Sequence, residues 1–259
     1  NDISYVEHGA IHLFSTRPRR SDNPADFSRL GSIEILRNKL YEIAFRFPKM
    51  GHEHAIHTRY PERAHVAGNI IERCGQAGMD ISGLKGHGQP VDAPFARILI
   101  HQNKITDSIL MSNDWGALYI NQGGPGYVYG NVVRNPGGFA NWKYKPGMEG
   151  TPRFGHSYYV DGGYQKYLFN NIAWGRSNEQ GSKYANLSAF QTLISFQNQV
   201  FNNTAYRFVQ ASRNQTPALG RWQYLGNIYD DVSQYVFLHG KPAKGEADVN
   251  EAHAAEGRT

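Results

Sequence analysis

The chain has one cysteine, Cys74, in 259 residues, so no disulfide can form within it. That excludes a small disulfide-stapled scaffold and fits a cytoplasmic protein or one exported by a Gram-negative cell. No apolar run approaches the ~20 residues of a membrane-spanning helix, and no signal-peptide pattern is present. Net charge is +5, but the basic residues are scattered apart from Arg17-Pro18-Arg19-Arg20, which argues against a nucleic-acid surface. No stretch shows the 3.6-residue hydrophobic period of a helix. The glycines of NQGGPG (121–126) and GYVYGN (126–131) show neither Walker spacing nor a following helix, so a phosphate loop is excluded.

What is present is glycine, asparagine and aromatic residues. There are 28 glycines and 13% aromatics, the composition of strands joined by tight turns. With 40% hydrophobic and 19% charged residues, the chain belongs among folded soluble proteins.

One phrase recurs: apolar-x-apolar-x-x-Asn-x-apolar. It reads IEILRNKL (33–40), ILIHQNKI (98–105), YVYGNVV (127–133) and LFNNIA (168–173), among other copies. The repeating asparagines are Asn38, Asn69, Asn103, Asn131, Asn171, Asn203 and Asn227, about 31 residues apart with widely varying steps. Coils of strands and turns tolerate such variation, because an insert lengthens a turn without disturbing its neighbours. A second alternating run follows each asparagine, as in ALYINQ (117–122) and YYVDGG (158–163). The pattern predicts an all-β fold, a right-handed parallel β-helix of about eight coils with two strands per coil. It spans residues 1–240, and 241–259 reads as a charged tail or the start of a truncated segment. The asparagines are expected to occupy left-handed bends and to bond one another in an internal ladder. The chain opens on Asn1 in mid-pattern, which suggests a processed product or a piece of a longer protein.

Strand parity then assigns faces. Ile11, Ile56, Met79, Leu118, Tyr158, Phe208 and Val236 are expected inward. Their followers His12, His57, Asp80, Tyr119, Tyr159, Phe190, Val209 and Phe237 are expected outward. A second outward row holds Arg59, Ser82, Asn121 and Asp161. Aromatics and carboxylates along one wall suit a polysaccharide or oligosaccharide, whose rings stack and whose hydroxyls bond polar groups.

Hydrolysis of a glycosidic bond needs two carboxyl groups, one protonated and one ionised. Candidates are Asp80, Asp114 and Asp161, with Glu149 on a long insert. Trp115 could exclude water beside Asp114 and raise its pKa. Along a straight strand, however, the seven-residue offset would hold Asp114 over ~20 Å from Asp161. His52, His54 and His57 in GHEHAIH lack a recognised zinc spacing, so no metal is expected. His57 and His156 are instead read as sugar contacts or acid–base groups.

DWGALYI (114–120), GYVYGNVVRN (126–135) and YYVDGGYQKYLFNNIAWG (158–175) resemble the β-helix region of bacterial carbohydrate-active proteins. More narrowly, they are similar to the glycoside hydrolases of that fold that act on plant and algal polysaccharides. The resemblance implies that Asp114 and Asp161 act as the acid and its partner; Asp80, two coils and two residues from Asp161, is held in reserve on spacing alone. His57, Arg59, Tyr119, Asn121, His156 and Tyr159 would hold sugar, and no cofactor is implied. Asn113 stands where that family carries glycine, and Asp161 stands alone where two aspartates are common. An exported, periplasmic or extracellular protein of bacterial source follows from the resemblance. The alternatives are a polysaccharide lyase, with His57, Tyr159 or Lys104 as base and Ca2+ as a possible helper, and a non-catalytic carbohydrate-binding β-helix.

Overall fold

A computed structural model describes residues 1–14, 31–46, 53–83, 96–139, 153–179, 186–215, 223–238 and 241–243. His52, Glu149, the arginines near residue 18 and residues 244–259 lie outside these. The described residues form an all-β fold without helices.

The opening circuit contributes β1 (Asp2–Val6) and β2 (Ile11–Phe14). Three strands per circuit follow: β3 (Ser32–Leu36), β4 (Lys39–Ile43) and β5 (Ile56–Arg59), then β6 (Arg63–Ala67), β7 (Ile70–Cys74) and β8 (Met79–Ser82). Next come β9 (Arg97–His101), β10 (Lys104–Thr106) and β11 (Trp115–Asn121). The following circuit holds β12 (Gly126–Tyr129), β13 (Val132–Arg134) and β14 (Gly155–Tyr164). Then follow β15 (Lys166–Phe169), β16 (Ile172–Ser177) and β17 (Ser188–Phe196). In the last two circuits the second and third strands fuse. β18 (Gln199–Phe201) leads into β19 (Thr204–Asn214), and β20 (Gln223–Leu225) leads into β21 (Ile228–Leu238). β22 (Lys241–Ala243) returns antiparallel on β21, so strand pairing continues past residue 240.

Every other pairing is parallel, and through most of the chain each strand pairs with the strand three places on. The arrangement is consistent with a parallel β-solenoid of three strand rows. The first row is a seven-stranded sheet, β3-β6-β9-β12-β15-β18-β20. The second row runs from β1 through β16 to the start of β19, and the third from β2 through β17 to its end. The expected two strands per circuit are therefore corrected to three. Each recurring phrase is a corner: in IEILRNKL, β3 ends at Leu36 and β4 begins at Lys39.

The asparagines fill that corner. Each donates its side-chain amide to the carbonyl of the next, at 2.9–3.0 Å, from Asn38 through Asn69, Asn103, Asn131, Asn171 and Asn203 to Asn227. Asn1 joins the ladder at 2.9 Å. The ladder residue is not the left-handed one, as had been expected. That conformation falls on its predecessor: Arg37, Gly68, Gln102, Gly130, Asn170, Asn202 and Gly226 have φ between 53° and 65°. Asparagine is needed for its amide, which satisfies backbone groups that the bend removes from the sheet ladders.

Inward side chains line up between circuits and form one core. The first row contributes Ile35, Val66, Ile100, Val128, Leu168 and Val200, and the second contributes Leu40, Ile71, Ile105 and Val133. Each large aliphatic chain buried this way contributes about 1.5–3 kcal/mol. One inward position of the first row holds an amine. Lys166 is fully buried and donates to the Gly123 carbonyl at 2.6 Å. A side chain on its register partner Gly126 would meet the lysine at 3.0 Å, so the glycine makes its room. Burial pushes the Lys166 ammonium down to about 7.

Candidate functional site

The third row carries the candidate site. Its inward line is Ile11, Ile56, Met79, Leu118, Tyr158, Phe190, Ser212 and Val236. Its outward line is His12, His57, Asp80, Tyr119, Tyr159, Gln191, Arg213 and Phe237. The expected neighbours from His57 to Tyr159 are therefore brought together. Two expected members are corrected. Phe190 points inward, stacked on Tyr158 at 5.2 Å, and Gln191 takes its outward place. Arg213 stands where Val209 was expected, and Ser212 where Phe208 was, because β19 runs on through the corner that earlier circuits make.

Much of this face is buried rather than an open groove: Asp80 is 0% exposed, Tyr159 2%, His57 3% and Tyr119 4%. Asp80 is tied down. Its Oδ2 accepts from Arg59 Nη2 at 3.0 Å and lies 3.3 Å from His57 Nε2 and 3.4 Å from His54 Nε2. Arg59 also donates to Ser82 Oγ. Burial pushes His57 down to about 3 against the opposing charge of Asp80, so its imidazole is neutral. Among the described residues, no group of three metal-ligating side chains is placed to hold an ion.

The second cluster lies beside the first. Tyr119 Oη donates to Asp161 Oδ2, and Asn121 and Asp161 are register partners on adjacent strands. Asp114 sits just ahead of β11 with φ of 63°, its amide donating to the Phe154 carbonyl at 2.9 Å. The chain bends at Asn113-Asp114, ahead of β11. A side-chain carbon on Gly116 would stand 2.6 Å from Tyr159 Cβ and 2.8 Å from the Leu118 carbonyl oxygen. The straight-strand separation therefore does not apply, and Asp114 feels the charge of Asp161.

Asp114 keeps solvent-exposed surface yet is crowded by protein, the condition of a carboxyl in a recess. Lost hydration, with the Asp161 charge second, pushes it up to about 6. Burial also raises Asp161; the Tyr119 hydrogen bond opposes this and the Asp80 charge adds to it. Tyr119 and Tyr159 are shifted well above the usual phenol range, first by burial and then by Asp161, so both stay protonated.

His156 is fully buried. Its Nδ1 pairs with Ser188 Oγ at 2.6 Å, while Nε2 has no hydrogen-bond partner. Burial holds it well below the usual imidazole range, with the Arg213 charge second. Arg213 lies over the rings of Phe154 (5.1 Å) and Phe237 (5.6 Å), and its buried Nη1 is unmatched. Sequence reasoning missed Arg213 and Phe154, and it weighed His54 only for metal binding. β19 runs as one strand from Thr204 to Asn214, which delays the third row in that circuit and brings Arg213 to the outer line. Lys104, a candidate lyase base, lies on the second row and pairs with Glu72 at 3.8 Å.

No protein-family model matches this chain, no curated protein is significantly similar to it, and no solved structure matches it. A function for this site is therefore argued from its chemistry alone.

Proposed function

We propose that the protein is a glycoside hydrolase built on a right-handed parallel β-helix, exported and acting on a polysaccharide or oligosaccharide. The right hand follows the general rule for connections between parallel strands. One arrangement carries the reading: Asp161, held by the Tyr119 hydroxyl on the outer line of the third row, sends its charge to Asp114, and burial shifts both carboxyls upward, Asp114 to about 6. Two carboxyls with different environments are what acid-assisted glycosidic cleavage uses.

In this reading Asp114, the more accessible and protonated at mildly acid pH, gives its proton to the leaving oxygen. Asp161 is the nucleophile or base. Tyr119 pins one of its oxygens and leaves the other for the sugar carbon or a water. The unmatched Arg213 donor and the Asn121 amide bind sugar oxygens. His57, Arg59 and Asp80 form a charge-balanced wall beside the site, and His156 and Tyr159 support it. No cofactor enters.

The lyase reading is weaker on specific grounds. His57, with its pKa near 3, accepts a proton poorly, and the buried phenols of Tyr119 and Tyr159 are shifted away from the ionised form. The test is a pair of variants. Asp161→Asn and Asp114→Asn are each expected to cut kcat by about a thousand-fold or more, with circular dichroism and melting unchanged. Turnover retained in both variants removes the pair from the mechanism.

A further inference from the structure

The first row has an outer face of a different kind, away from the aspartates. Aromatic rings stack along it from circuit to circuit. His101, Tyr129, Phe169 and Phe201 form one ladder, with ring centres 4.8–5.1 Å apart and planes within 10°. Tyr127 and Tyr167 form a second, at 5.1 Å and 13°. The second ladder stops short. The register position beyond Tyr127 holds Leu99, so one face of the Tyr127 ring has no aromatic cover. A recess of about 530 Å³ opens there, lined by Arg97, Leu99, Pro125, Tyr127, Tyr129 and Phe169. Arg97 is exposed and pairs with no acid among the described residues. Its register partner is a second exposed arginine, Arg63.

We propose that this recess is a non-catalytic carbohydrate-binding site that seats a pyranose ring against the Tyr127 ring, with Arg97 bonding the sugar's oxygens. The arrangement selects this occupant on three grounds. A pyranose has an apolar face that matches an aromatic plane and an oxygen-rich rim that matches a guanidinium. The volume lies within the ~300–1,000 Å³ of small-molecule sites. A stable protein partner would need about 800 Å² of surface on this side. Here the outer line turns polar within two circuits on either side, at Glu34 and at Gln199 and Gln223. Arg97 can bond either a hydroxyl or a sugar carboxylate, so neutral and acidic chains are both admissible and are told apart below.

The site is independent of the proposed hydrolysis, and the two fail separately. Native gels cast with polygalacturonate (acidic) or hydroxyethylcellulose (neutral) measure it directly, using the full chain. Wild type is expected to be retarded in at least one gel. Tyr127→Ala is expected to weaken that binding about five-fold or more, the scale of one lost aromatic contact. Arg97→Gln alters an exposed side chain, so it keeps the test decisive if Tyr127→Ala melts early. Its loss is expected to be larger in the acidic gel if a carboxylate is the partner. The proposal is overturned by wild type running freely in both gels, or by retardation that neither recess variant changes. It is equally overturned if sedimentation shows Tyr127→Ala dissociating a dimer, which would make the face a contact between copies.

Discussion

The two outer faces are made by the same alternation on neighbouring rows, yet they behave oppositely. On the first row, the middle circuits repeat aromatic rings that stack like on like: Tyr129 on Phe169 on Phe201. Such columns satisfy themselves. On the third row each circuit changes type, from His57 to Asp80 to Tyr119 to Tyr159 to Gln191 to Arg213. That column buries ionisable groups, shifts their pKa values and leaves donors unmatched, all of which costs stability. Local rules obeyed along one column and broken along its neighbour are what support the proposal of a site on the second.

The comparison can be broken or sharpened experimentally. The largest stability effect is expected where a column satisfies itself completely. Asn131 bonds Asn171, Asn103 and the Ile100 carbonyl inside the corner. Asn131→Ala is expected to cost about 2–4 kcal/mol in denaturant unfolding, because buried backbone and amide groups lose their partners. A loss under about 0.5 kcal/mol would mean that water replaces the ladder.

A smaller effect, on rate and not stability, is expected on the third row. Tyr119→Phe removes the hydroxyl that pins Asp161. It should lower kcat about ten-fold with KM little changed, and it should move the acid limb of the pH–rate profile upward, since that hydrogen bond favours the ionised carboxylate. A change confined to KM would make Tyr119 a sugar contact, as its sequence position had suggested.

The smallest effect concerns the lysine buried on the first row. The folded-state pKa of Lys166 is about 7, below the unfolded value of 10.5, so the unfolded chain binds more protons between these values. Stability therefore rises with pH across that window, and the full cost of burial is present below about pH 7. Lys166→Met should raise the melting temperature by several degrees at mildly acid pH, with the gain shrinking toward pH 10. A pH-independent gain would assign the effect to packing instead.

Much of the fold was legible because one residue type recurs at a fixed structural place. The ladder asparagines could be picked out despite uneven spacing, since each follows the same apolar alternation. The corner inside each phrase was not legible. Leu36 and Lys39 lie on different strands, but the turn between them is too short to interrupt the pattern. Within the third row, parity held from His57 to Tyr159, where polar and apolar letters alternate. It failed at Ala189-Phe190, where adjacent apolar residues give no phase, and at β19, where the missing corner delays the register. Burial of the outward line could not be read at all, because what covers a face comes from elsewhere in the chain. That the charge of Asp161 reaches Asp114 depends on the bend at Asn113-Asp114, which has no local signal in the sequence.

The most direct test is digestion of a panel of neutral and acidic polysaccharides across the acid-to-neutral range, following reducing ends and ultraviolet absorbance together. The account predicts reducing ends from at least one polymer without an unsaturated product, and a rate that falls as pH rises through about 6, where Asp114 loses its proton. Reducing ends accompanied by rising absorbance, or no cleavage of any polymer, would contradict it.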